Sequence, residues 1–155
     1  MAELEKKSNR QNKDNLYKSI FLIHIMAYKL IDATEIRNGT VVMIEGEACT
    51  VRSYDVSKTG KHGHAKVRME AIGITDGKKR VLVKPGHERF EVPMIDKRKA
   101  QVLSISGKVA SVMDSESFET LDLPIGEEIK ESLQEGSNVE YWVIDENKII
   151  KRVIQ

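Results

Sequence analysis

The chain has 155 residues, of which 40% are hydrophobic and 32% charged, enough to bury a core under a charged surface. Its 25 basic and 24 acidic side chains nearly cancel, which excludes a molecule-wide basic field and leaves only local patches to meet an anionic partner. The single cysteine, Cys49, excludes an intrachain disulfide and fits a reducing, cytoplasmic compartment.

In the N-terminal extension, residues 1–26, the bases Lys6, Lys7, Arg10 and Lys13 precede the apolar run Ile20-Phe21-Leu22-Ile23-His24-Ile25-Met26-Ala27. The order resembles a secretory signal, but His24 interrupts the run and no A-x-A site follows. The run is too short to span a bilayer, so no membrane partner is expected. A flexible polar extension leading into a short apolar segment is the plainer expectation, and Met26 is an alternative start.

Residues 27–96 read as all β. Asn38-Gly39-Thr40 matches a glycosylation sequon and, more simply, an Asn-Gly turn. Thr40–Ile44 is a β-branched run ending at the turn signal Glu45-Gly46. Cys49–Val56 is a strand. Ala65, Val67, Met69, Ala71 and Gly73 then alternate with Lys66, Arg68, Glu70, Ile72 and Ile74, a strand with one face largely polar and one apolar. Arg80–Val83 and Arg89–Val92 follow after turns at Asp76-Gly77 and Lys84-Pro85-Gly86. Many short strands with tight turns predict a small barrel, in which closure removes exposed edges.

Between two of these strands lies Ser57-Lys58-Thr59-Gly60-Lys61-His62-Gly63-His64-Ala65-Lys66, with three lysines, two histidines, two glycines and no acid. Gly60 and Gly63 permit a sharp, narrow tip, so the expected product is a thin cationic finger ending at Lys61.

Pro93 and the charged run Asp96-Lys97-Arg98-Lys99 read as a short, stiff linker. Residues 97–155 then give strands at 101–105, 108–113 and 118–123, a helix over Glu127–Glu135 with Ile129 and Leu133 on one face, and strands at 139–144 and 148–154. Three strands, a helix and two strands is the order of an OB-fold. Such folds often bind single-stranded nucleic acid through stacking aromatics. Here the aromatics are only Phe118, Tyr141 and Trp142, and eight bases against eleven acids leave this half at −3. Docking by shape is an equal alternative.

Enzymatic readings of the finger find little support. Gly60-Lys61 supplies only the end of a P-loop: Asp55 stands where the first glycine belongs, His62 follows the lysine, and a strand replaces the helix. His62 and His64, with His87 or Cys49, form no closed metal-ligand set. Lys61 as a Schiff-base nucleophile would need an apolar pocket that an exposed tip lacks. A solvated basic hairpin without special role remains the bland alternative.

The stretch Ser57–Lys66 closely resembles the modification loop of the translation initiation factor 5A family. Asp32-Ala33-Thr34-Glu35-Ile36-Arg37-Asn38-Gly39 and Val92-Pro93-Met94-Ile95-Asp96-Lys97-Arg98 are similar to its archaeal branch, and the resemblance runs from about Met26 to the C-terminus. It implies a mainly β chain: an SH3-like barrel carrying the lysine loop (27–96), then an OB-fold barrel with one short helix (97–155). It implies that Lys61 is modified to deoxyhypusine or hypusine by deoxyhypusine synthase, a separate NAD-dependent enzyme that transfers an aminobutyl group from spermidine. The chain itself would then need no cofactor and no metal and would not be an enzyme. The implied partners are the ribosome, peptidyl-tRNA and rRNA. Lys58, Thr59, Gly60, His62, Gly63, His64 and Lys66 would form the RNA-contacting loop around Lys61, promoting peptide-bond formation on stalled peptidyl-tRNA. A general RNA-binding or RNA-chaperone protein acting off the ribosome is the rival reading. The family's usual start does not include the extension before Met26, and the chain has no room for the third domain of bacterial elongation factor P.

Overall fold

A computed structural model describes residues 2–58 and 60–155, with side chains at all of these except 7, 8 and 20–27. The chain opens with helix α1 (Ala2–Ala27). This differs from the flexible extension expected: no proline or glycine interrupts residues 2–27, and Glu3 and Glu5 in the first turn complement the helix dipole. Among the described residues no helix is long and apolar enough to cross a membrane.

The rest is almost entirely antiparallel β. The first half contains β1 (Tyr28–Asp32), a 3-10 turn (Ala33–Glu35), β2 (Val41–Ile44), β3 (Glu47–Lys58), β4 (Ala65–Gly73), β5 (Lys79–Pro85) and β6 (Arg89–Pro93). Strands β2-β3-β4-β5 form one sheet, β1 pairs with β6, and β6 lies along β2 to fold the sheet around a core. Glu45 and Gly46 both take positive φ, the two-residue turn whose twist suits a hairpin. Gly39, at φ +87, makes the expected turn. Alternation in β4 sends Val67, Met69 and Ala71 to complete burial, where they meet Ile36, Val42, Cys49, Val51 and Phe90.

The second half contains β7 (Asp96–Ser106), β8 (Val109–Asp114), β9 (Thr120–Pro124), a 3-10 turn (Glu127–Ile129), β10 (Asn138–Ile144) and β11 (Asn147–Ile154), in sheet order β11-β10-β7-β8-β9. The barrel closes where Ile125 bridges Ile150 and the Gly126 N–H donates to the Ile150 carbonyl at 2.9 Å. A Cβ on Gly126 would stand 2.7 Å from that oxygen, so only glycine fits the seam. The core packs Val102, Val112, Leu123, Val139, Tyr141 and Ile150.

Two further sequence expectations are corrected. The charged run Asp96–Lys99 is not a linker but the first part of β7, paired with β10 from Val143 to Glu140. Arg98 is neutralised by Asp96 at 2.7 Å, and the Lys97 ammonium lies 5.0 Å from the Trp142 ring centre. The helix expected over Glu127–Glu135 is only the 3-10 turn with a following turn. Its N-cap, Gly126, offers no side-chain acceptor, and the Ile129 carbonyl is shared by the Ser132 and Leu133 N–H groups and the Ser132 hydroxyl.

Between the two barrels a smaller apolar cluster gathers Val41, Ala48 and Ile74 from one side and Ile144 and Ile149 from the other. Two polar links flank it: Arg52 pairs with Glu128, and the Tyr28 hydroxyl donates to Asp145. Arg52 is the extra residue of a β-bulge in β3, where the register slips between Val51 and Ser53. The bulge is local to the strand that faces the second barrel through this arginine.

Candidate nucleic-acid interface: the β3–β4 hairpin

The longest hairpin of the first barrel carries the lysine loop. β3 and β4 pair in register up to Ser57 opposite Lys66 and Lys58 opposite Ala65. Gly60 has φ +72, and the Gly63 N–H donates to the Gly60 carbonyl at 3.4 Å. Gly60-Lys61-His62-Gly63 is therefore a tight turn with Lys61 and His62 at its two central positions. Thr59 lies outside the described residues. Lys58, Gly60, Lys61, His62, Gly63, His64 and Lys66 are all exposed. Asp55 and Glu70 are the nearest acids in the chain on either side. None of Lys58, Lys61 and Lys66 has an ion-pair partner among the described residues. The hairpin end is thus a concentrated, uncompensated positive field on a near-neutral molecule.

The tip is free but the base is clamped. Gly86, in the β5–β6 turn, donates its N–H to the Ala65 carbonyl at 2.8 Å and accepts from the Thr34 N–H at 3.3 Å. A Cβ there would meet Thr34 Cγ2 at 2.9 Å and Ala65 Cβ at 3.2 Å. The adjacent His87 ring stands edge-on to His64, with centroids 6.2 Å apart. Farther down, the Tyr54 hydroxyl on β3 donates to the Ala33 carbonyl at 3.0 Å, and the Arg37 guanidinium covers its ring at 5.7 Å. Two separate segments, 33–37 and 86–87, therefore grip the root of the hairpin.

No group of three His, Cys, Asp or Glu side chains among the described residues could hold a metal ion. His64 faces His87 and not a ligand set with His62. Cys49 is fully buried, and burial pushes its thiol up to about 11, the opposite of an activated nucleophile.

The second barrel does not assemble its aromatics into a stacking platform. Tyr141 is 1% exposed, and its hydroxyl donates to the buried Asp114 carboxylate at 2.5 Å. Burial and that carboxylate push Tyr141 up to about 12, while the Tyr141 hydroxyl and the Ser117 and Glu116 N–H groups hold Asp114 down at about 2. Trp142 is half-buried, flanked by the Lys97 and Lys151 ammonium groups, with its indole N–H donated to Glu140 at 3.0 Å. Phe118 stands alone on the β8–β9 loop.

Sequence reasoning located the loop but missed its clamp. Thr34, Gly86 and His87 are remote from Lys61 in the chain, and only the barrel closure brings them to its root. Gly86, in a Lys-Pro-Gly turn, carried a turn signal but no sign of its partner.

Comparison with known proteins reaches both barrels, over up to 83% of the chain. Residues 28–87 match the family described as translation initiation factor 5A-like, N-terminal. The chain is 44% identical over 131 residues to translation initiation factor 5A of Pyrobaculum aerophilum, covering 82% of this chain and 95% of that protein. It is 43% identical over 127 residues to that of Methanobrevibacter smithii, covering 82% and 98%. Among solved structures it is similar to eukaryotic translation initiation factor 5A from Methanococcus jannaschii, with TM-score 0.72 and 43% identity over 83% of this chain and 96% of that one. A translation initiation factor eif-5a family protein from Naegleria fowleri is similar at TM-score 0.62 and 29% identity, over 83% and 99%.

Proposed function

The chain belongs to the translation initiation factor 5A family, and on that premise we propose that it is a ribosome-binding translation factor working through a modified Lys61. The observation that carries the reading is the placement of Lys61 on an exposed, acid-free turn, clear of the barrel and clamped only at its root. An enzyme that must enclose a lysine side chain needs such access. Transfer of an aminobutyl group from spermidine to Lys61 Nζ, by an NAD-dependent deoxyhypusine synthase, lengthens the side chain and adds a second cationic nitrogen. The NAD belongs to that enzyme, and this chain contributes the acceptor amine.

The lengthened dication reaches where the barrel cannot fit. Charge-assisted hydrogen bonds from its nitrogens to phosphate or ribose oxygens hold the acceptor end of a stalled peptidyl-tRNA in a reactive pose. Fixing a reactant in this way lowers the barrier of peptide-bond formation without chemistry by the factor itself. Lys58, His62, His64 and Lys66 supply the field toward rRNA and tRNA, and Gly60 and Gly63 the shape of the finger.

Mass spectrometry of the peptide spanning Lys58–Lys66, on protein from its own host, tests this directly. A deoxyhypusine or hypusine increment on Lys61 is expected. An unmodified lysine in native material sinks the mechanism and favours a general RNA-binding protein acting off the ribosome. Lys61→Arg keeps the charge but removes the acceptor amine, so it should fold normally and lose stimulation of peptide-bond formation. Full activity of that variant in a reconstituted translation assay would contradict the proposal.

A further inference from the structure

The loop joining β8 to β9 presents one large apolar side chain to solvent at a cost in backbone energy. Phe118 is 71% exposed and has φ +58, a left-handed conformation that bulky L-residues avoid. Among the described residues the ring enters none of the apolar clusters, so no burial there offsets the strain.

The loop is built to hold this position. The Phe118 N–H donates to the Asp114 carbonyl at 3.0 Å, and the Asp114 N–H to the Glu119 carbonyl at 2.9 Å. The Glu116 and Ser117 N–H groups both donate to Asp114 Oδ1 at 2.8 Å. Asp114 is 1% exposed and fixed from below by the Tyr141 hydroxyl. A buried carboxylate thus organises the turn from the core outward, and the ring stands on a rigid base with little freedom left to lose on contact.

Charge selects the partner. Residues 109–129 contain six acids and no base. Glu116 and Glu119 flank the ring, are exposed, and have no ion-pair partner among the described residues. A phosphate backbone would be repelled here, whereas a basic protein surface would be attracted. We infer that the Phe118 loop docks the second barrel onto a basic protein surface with an apolar socket. The ring fills the socket, and Glu116 and Glu119 meet cations at its rim. The partner rests on the ribosomal reading above: it is a basic protein of the ribosome, not its RNA.

The test uses the full chain and purified ribosomes of the same organism. Phe118 is replaced by the photoreactive p-benzoylphenylalanine and irradiated in the complex. In parallel, co-sedimentation compares the wild type with Phe118→Gly and with the double variant Glu116→Lys, Glu119→Lys. The expected adduct survives ribonuclease and is destroyed by protease, and both variants bind at least fivefold more weakly. Phe118→Gly should keep or raise its melting temperature, because glycine takes φ +58 without strain. A ribonuclease-sensitive adduct, no adduct from a complex that forms, tighter binding by the charge-reversed variant, or a lowered melting temperature for Phe118→Gly each overturns the inference and leaves the ribosomal reading standing. If the wild type does not sediment with ribosomes, both fall together.

Discussion

Asp114 is the buried, charged residue on which the second barrel's polar interior turns. Its folded value of about 2 lies below the ordinary 3.8, held there by the Tyr141 hydroxyl first and by loop N–H groups next. A depressed carboxylate contributes stability above its unfolded value and loses it as pH falls through the folded one. Melting temperature should therefore drop between about pH 4 and pH 2, and Asp114→Asn should flatten that drop. The variant should also cost about 1–3 kcal/mol at neutral pH, because Tyr141 and two N–H groups lose a charged acceptor. Denaturant titrations at pH 7 and at pH 3 check both statements. The exposed turn that carries Lys61 was legible in the sequence because a lysine between two glycines, with bases around it, reads as a narrow hairpin tip, whereas a role for Lys61 came only from the family resemblance. Asp114 was not legible: it reads as one more strand-end acid until the fold places Tyr141 against it.

At the scale of elements, most strands were visible because β-branched alternation and glycine turns are local signals. Helix α1, β1, the charged start of β7 and the aborted helix after Gly126 were missed or misread. β1 holds Lys29 and Asp32 among few apolar residues, and it is a strand because β6 pairs with it along its whole length. The charged start of β7 is likewise a strand by virtue of β10. Non-local pairing overrode local composition in both. The hairpin clamp belongs to the same class of feature, and it yields a test. Gly86→Ala forces a methyl against Thr34 and Ala65. It should cost about 1–3 kcal/mol as an overpacked contact. Amide exchange should quicken at residue 86 and at Thr34, whose N–H groups donate to the Ala65 and residue-86 carbonyls, while the core around Val102 stays protected. Unchanged exchange at the hairpin root would show that the clamp does not restrain it.

At the scale of the molecule, the two barrels share a small apolar seam with one polar link to either side. Ile149, 5% exposed, sits in that seam. Ile149→Ala should destabilise by about 2–4 kcal/mol. Because the loss falls at the seam, calorimetry should resolve two transitions where the intact seam enforces one. The paired rungs from Tyr54 to Lys58 have a further consequence. At about 3.3 Å per residue they carry the turn well over 10 Å beyond the tyrosine that anchors it. On the function proposed above, the molecule would act as a ruler: its bodies set a footing, and the hairpin measures a fixed distance from it. Two threonines inserted after Lys58 and two before Ala65 would lengthen the ruler by about 7 Å while leaving the Gly60–Gly63 turn unchanged. Such a protein should fold, present the same charges and still fail in translation, because the lysine would arrive past its mark.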